Sequence, residues 1–136
     1  MSNARRSTCP MACALDLVGD RWTLLVLRDL FAGKHHYDEF AESDEQIASN
    51  VLSERLRRLQ HLGMVSVETC ADNRRRKRYE LTERGRSFAP VLAALGRWGL
   101  EHIAGTIPAP HILGALSAEL ARQRARAPTK RAKTRP

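Results

Sequence analysis

The sequence lacks an uninterrupted apolar run of about 18 residues, the length a helix needs to cross a bilayer. Its start, MSNARRSTCP, has no apolar centre of the kind a secretory signal carries. A spanning helix is thereby excluded, and a cytoplasmic location with no membrane partner is the expectation. Cysteine is scarce: Cys9, Cys13 and Cys70 form an odd set without zinc-finger spacing, and in a reducing compartment they are expected as free thiols. His35 and His36 are adjacent, but no convergent ligand pattern accompanies them, so no metal is expected. There is no Gly-rich phosphate loop, no nucleophile motif and no evident pair of carboxylates. Neither an enzyme nor a cofactor is expected from such a chain.

What the sequence does have is positive charge. Lys and Arg number 23 against 15 acidic residues in 136, a formal net charge of +8. That balance suits a polyanionic partner. Seven basic residues and no acidic one lie between Arg122 and Arg135, so most of the excess sits at the C-terminal end and the rest of the chain is close to neutral. A second cluster, Arg74, Arg75, Arg76, Lys77 and Arg78, falls between two candidate strands.

Periodicity orders the elements. Pro10 suits the first turn of a helix ending at Gly19, and Asp20 caps RWTLLVLRDLF, whose apolar residues lie all round and mark a central, buried helix. KHHYDEFAES predicts a short extended piece followed by a helix from about Asp38. In SNVLSERLRRLQHLG, Ser49 is the expected N-cap and Gly63 the residue just past the end. Leu52, Leu56 and Leu59 fall within roughly 60° of one another and define its buried stripe. Opposite lie Asn50, Ser53, Glu54, Arg57 and His61, whereas Arg55 and Arg58 fall nearer the buried side, where structural contacts are expected.

MVSVETC and KRYELT alternate as strands around a turn-like ADNR, predicting a hairpin with a basic tip. Thr82 caps a long apolar-striped helix that either kinks at Pro90 or restarts near Ser87 with Pro90 in its first turn. After the linker GTIPAP, an amphipathic helix is expected from about His111 to Arg126. The chain thus divides into a DNA-binding and dimerisation unit over 1–107, an extra helix over 108–126, and a basic tail over 127–136 expected to be disordered.

Three helices, the third with a polar face, followed by a basic hairpin describe a winged helix-turn-helix: a mainly α chain with one small β-hairpin and a long C-terminal dimerisation helix. The sequence also resembles the HxlR-type regulators, relatives of the MarR group. The resemblance rests on Cys9-Pro10, ALDLVGDRWTLLVLRDLFAG from Ala14 to Gly33, YDEF from Tyr37 to Phe40, VLSERLRRLQHLGMV from Val51 to Val65, YELTERGRS and PVLAALGRWG. It covers about residues 9–99 and implies a homodimeric bacterial transcription factor on a near-palindromic operator, without enzymatic activity. The family's wing commonly carries a proline before its returning strand; here the loop is ADNRRRKR.

On this frame Ser49, Asn50, Ser53 and Glu54 are expected at base edges and Arg57 at a base or phosphate, since Asn suits adenine and Glu can accept from cytosine N4. Arg74, Arg75, Arg76, Lys77 and Arg78 are expected at phosphates or the minor groove, with Arg21 as a further backbone candidate. Phe88, Val91, Leu92, Leu95, Trp98 and His102 form a stripe expected to pair with a second copy, spacing two recognition helices about 34 Å apart. Trp22 reads as core. Cys9, at a helix start where amides favour a thiolate, is the redox candidate, because the family includes regulators that sense oxidants or electrophiles through a cysteine at this position.

The leading function is sequence-specific regulation of transcription by a homodimer on double-stranded DNA, with repression the expected mode and an oxidant as one form of effector. Two alternatives stand beside it: a regulator controlled by a small molecule held between DNA-binding and dimer helices, and a nonspecific nucleic-acid binder driven by the basic tail.

Overall fold

A computed structural model describes residues 6–126. The elements run α1 (Pro10–Val18), α2 (Arg21–Phe31), α3 (Tyr37–Ala41), α4 (Ser49–His61), β1 (Val65–Thr69), β2 (Lys77–Leu81), α5 (Glu83–Arg86), α6 (Ala89–His102) and α7 (Pro110–Arg126). The disorder expected for residues 127–136 lies outside the described residues. Among the described residues no helix is long and apolar enough to cross a membrane.

Local chemistry sets these boundaries. Asp20 caps α2 by accepting from the Thr23 amide at 3.0 Å. α4 ends in a Schellman arrangement: Met64 N donates to Leu59 O and Gly63 N to Gln60 O, both at 2.9 Å, with Gly63 at φ +73°. The N-terminus of α4 departs from expectation. Ala48, not Ser49, is the N-cap, and no side chain caps that end; Ser49 is already helical.

The core gathers where α2 meets α4. Leu27, Leu52 and Leu59 are fully enclosed, with Val26, Leu30, Phe40 and Leu56 beside them. α2 packs on α4, β2, α6 and α7, which makes it the central helix. Trp22 is only half-buried. Phe40 meets Tyr79 edge to face at 6.2 Å, tying α3 to the hairpin. Burying side chains of this size contributes roughly 1.5–3 kcal/mol each.

The hairpin pairs Val65 with Leu81, Val67 with Tyr79 and Thr69 with Lys77 in antiparallel register. At its base Thr82 donates to Gly63 O and caps α5 at the Gly85 amide, 3.1 Å away. Only glycine fits at 85: an added Cβ would lie 2.1 Å from the Met64 carbonyl oxygen. α5 then stops after one turn and the chain restarts at Ala89 with Pro90 in the first turn of α6, so the long helix divides rather than bends.

This division corrects the expected dimer stripe. Leu92 is buried in the chain's own core, beside residues of α2 and α7, and Phe88 is partly buried against that core. Val91, Leu95 and Trp98 are half exposed, at 49%, 52% and 56%, with His102 stacked on Trp98 at 4.6 Å. α7 folds back over α2 and α6 and adds Leu116 to the core. Its last turns are clasped to α5: Arg122 and Arg126 reach Glu83 at 3.4 and 3.2 Å, and the Gln123 amide donates to Arg86 O at 2.7 Å. Two of the first three arginines of the basic run beginning at Arg122, Arg122 and Arg126, are therefore paired.

Candidate nucleic-acid interface

Burial of Leu52, Leu56 and Leu59 turns the opposite face of α4 outward, and Ser49, Asn50, Ser53, Glu54, Arg57 and His61 are all exposed. Three polar bonds fix that face. Arg55 Nε donates to Asp20 Oδ1 at 2.8 Å, joining α4 to the cap of α2. Burial raises the Asp20 carboxyl's pKa, but hydrogen bonds from the Thr23 hydroxyl, Arg55 and the Thr23 amide outweigh it and bring it down to about 2. Arg58 donates to the carbonyls of Leu17 and Asp16 at 3.1 and 2.8 Å, binding α4 to the end of α1. The turn between α3 and α4 rests on a set that sequence reasoning missed: the buried Ser43 donates to the buried Asp29, which also takes Arg28, and Arg28 reaches the exposed Glu45. An aspartate in the last turn of a largely apolar helix was the available signal.

Tyr37 was also missed as a site residue. Its hydroxyl donates to Ser49 O at 2.9 Å and receives the Ser53 hydroxyl at 3.4 Å, so it supports the first turn of α4. On its other side, Tyr37 lines a groove with Asp38, Asn73, Arg75, Arg76 and Lys77. The start of α4 and the basic hairpin tip thus flank one tyrosine.

The tip is ordered by Asn73, whose Oδ1 accepts from the Arg75 amide at 3.0 Å, while Cys70 N donates to Arg76 O at 2.8 Å. His35 and His36 clasp the returning strand: their Nδ1 atoms meet the Tyr79 and Lys77 carbonyls at 2.9 and 3.0 Å, and Tyr79 N donates to His35 O at 2.7 Å. No group of three or more His, Cys, Asp or Glu among the described residues is placed to hold a metal.

The five basic residues differ in availability. Arg74, Arg75 and Lys77 are exposed and make no ion pair among the described residues. Arg76 lies 3.9 Å from Asp38, and Arg78 pairs with Glu80 at 2.9 Å. Arg78 is thereby partly committed, and its guanidinium holds the Glu80 carboxyl below the usual range. On α4, Glu54 reaches Arg55 at 3.0 Å. Arg21 is exposed at the start of α2 with its guanidinium 4.7 Å above the Trp22 ring. Cys9 is exposed at the N-cap of α1; Cys13 is half-buried with its thiol on Ser7 O at 3.2 Å, and Cys70 is half-buried beside the hairpin loop.

Comparison with known proteins agrees with this geometry. Residues 17–106 match the family model described as HxlR-like helix-turn-helix. An uncharacterized HTH-type transcriptional regulator of Mycobacterium tuberculosis is 39% identical over 90 residues, covering 66% of this chain and 56% of that relative. The matched stretch therefore spans little more than half of that relative's length. Among solved structures, the redox regulator HypR in its reduced form superposes with a TM-score of 0.64 at 28% identity, covering 71% of this chain and 95% of HypR. The reduced form of the transcriptional regulator YodB from Bacillus subtilis gives 0.58 at 26% identity, covering 74% and 100%. A mostly helical chain with one two-stranded hairpin, matched over these residues, belongs to the HxlR-like helix-turn-helix family of transcriptional regulators.

Proposed function

We propose that the chain acts as a homodimer on a near-palindromic DNA operator, as a repressor, with α4 in the major groove and the hairpin on the flanking backbone. One observation carries the reading: the exposed polar start of α4 and the unpaired Arg75 and Lys77 of the hairpin both border Tyr37. Asn50, Ser53 and Glu54 offer the short hydrogen-bonding groups that read base edges, and Arg57 adds a fork. Arg74, Arg75 and Lys77 supply phosphate contacts, with Arg76, Arg78 and Arg21 as weaker contributors because each already has an internal neighbour. The exposed row Val91, Leu95 and Trp98 supports pairing with a second copy, as do Met11 and Leu15 on α1, exposed at 74% and 65%. Selection from a random double-stranded library tests the whole reading. An inverted repeat with half-site centres about 34 Å apart is expected; enrichment without two-fold symmetry contradicts it.

A thiol-responsive mode has its own support. Cys9 is exposed at the N-cap of α1, where a reagent can reach its thiol, and the similar structures include a redox regulator, HypR, and YodB in a quinone-bound form. Cys9→Ser is expected to abolish release of DNA by diamide or hypochlorite. An unaltered response removes Cys9 from the mechanism.

A further inference from the structure

Between α2, α6 and α7 lies an apolar cavity of about 290 Å³. Leu24 lines it from α2, Leu92 and Leu100 from α6, and Leu113 and Leu116 from α7. An apolar space of about half that volume already accepts benzene, and small-molecule sites begin at roughly this size. The wall built by α7 lies beyond residues 17–106, the stretch that matches the family.

Gly96 makes the space. It sits in the interior of α6, where glycine weakens a helix, yet its φ is not left-handed and an added Cβ would meet nothing within 4 Å. Packing within the protomer does not require glycine there. Its missing side chain leaves room in the cavity that it lines.

The cavity is not the exposed row of α6. At 100° per residue, Val91, Leu95, Trp98 and His102 cluster within about 60°, whereas Leu92, Gly96 and Leu100 centre about 130° away. Leu95 borders both. A second copy seated on the exposed row leaves the cavity to a smaller occupant. Arg28 is the one charged residue in the lining, and its guanidinium is already held by Asp29 and Glu45. A ligand carboxylate would have to compete with both.

From this lining we propose that the α2–α6–α7 cavity binds a small, uncharged, apolar molecule of the aromatic or branched-hydrocarbon class. Its occupant lies against α7, whose last turns clasp Glu83 and Arg86 beside the hairpin. Binding in the cavity can be measured without DNA, so its failure and that of the operator reading are separable.

The test titrates the full chain with N-phenyl-1-naphthylamine, an uncharged probe that fluoresces in apolar surroundings. One saturable site per chain is expected, displaced by naphthalene and at least tenfold less effectively by 1-naphthoate. Gly96→Leu is expected to weaken the probe at least tenfold without lowering the melting temperature, while Trp98→Glu, on the exposed row, keeps it. Absence of saturation overturns the proposal, as does equal displacement by the carboxylate. Loss of the probe in Trp98→Glu also overturns it, because the cavity would then belong to the contact between copies.

Discussion

Arg55 Nε stands 2.8 Å from Asp20 Oδ1, so the residue that caps the central helix also anchors the helix proposed to read DNA. The Asp20 carboxyl, held down to about 2 from 3.8, stabilises the fold above pH 4 and loses that contribution as pH falls through about 2. With its side chain 38% exposed, solvent screening reduces the effect to about 1 kcal/mol. Asp20→Asn keeps a capping oxygen and removes the titration. Its thermal melts are expected to lose less stability between pH 4 and pH 2 than the parent's; parallel loss in both contradicts the assignment.

Asn50→Ala removes an exposed side chain that no protein contact holds, so folding is expected to be unaffected. Binding to the operator is expected to weaken by about 1–3 kcal/mol, with binding to random DNA unchanged. Competition titrations on both DNAs check this. An equal loss on each would place Asn50 on the backbone instead.

The hairpin arginines are expected to rank by their internal partners. Arg74→Ala and Arg75→Ala should each lower the salt slope of binding by about one. Arg78→Ala should lower it less, since Glu80 already holds that guanidinium. Affinity measured over a series of salt concentrations separates them, and identical slopes for all three variants would contradict the ranking.

Gly85→Ala is expected to destabilise by about 3 kcal/mol, near the top of the range for overpacking. The neighbour at 2.1 Å is the backbone carbonyl of Met64, which cannot swing aside like a side chain. Denaturant unfolding reads it, and a loss below about 1 kcal/mol would mean that the α5 approach is looser than described.

Trp98→Glu places a charge on the exposed row of α6, where Trp98 contributes little to the protomer's own core. Sedimentation is expected to show a dimer for the parent and a monomer for the variant, with similar melting of the isolated fold. A dimeric variant would move the interface elsewhere.

Much of this architecture was legible because local chemistry agreed with long-range packing. The Leu52, Leu56 and Leu59 stripe, the Gly63 stop and the alternating strands each encode one conformation, and Arg55 and Arg58 fall on the side where they make structural bonds. Ser49 misled because capping propensity is a local preference, and Tyr37 supports that turn from another helix through the Ser49 carbonyl. The stripe from Phe88 to His102 read as one surface, since periodicity cannot tell a chain's own core from a partner's. Only the break after α5 and the return of α7 turn Leu92 and Phe88 inward. The Asp29–Ser43 bond joins α2 to the turn between α3 and α4, and no spacing rule reports it.

The most direct measurement is fluorescence anisotropy of the full chain on DNA from upstream of its own gene and on random DNA, across a range of salt. A preference of about a thousandfold that persists as salt rises, typical of specific recognition, is the expected result. Equal and steeply salt-dependent binding to both DNAs would contradict it, leaving α4 as a solvated face and the basic residues as holders of phosphate alone.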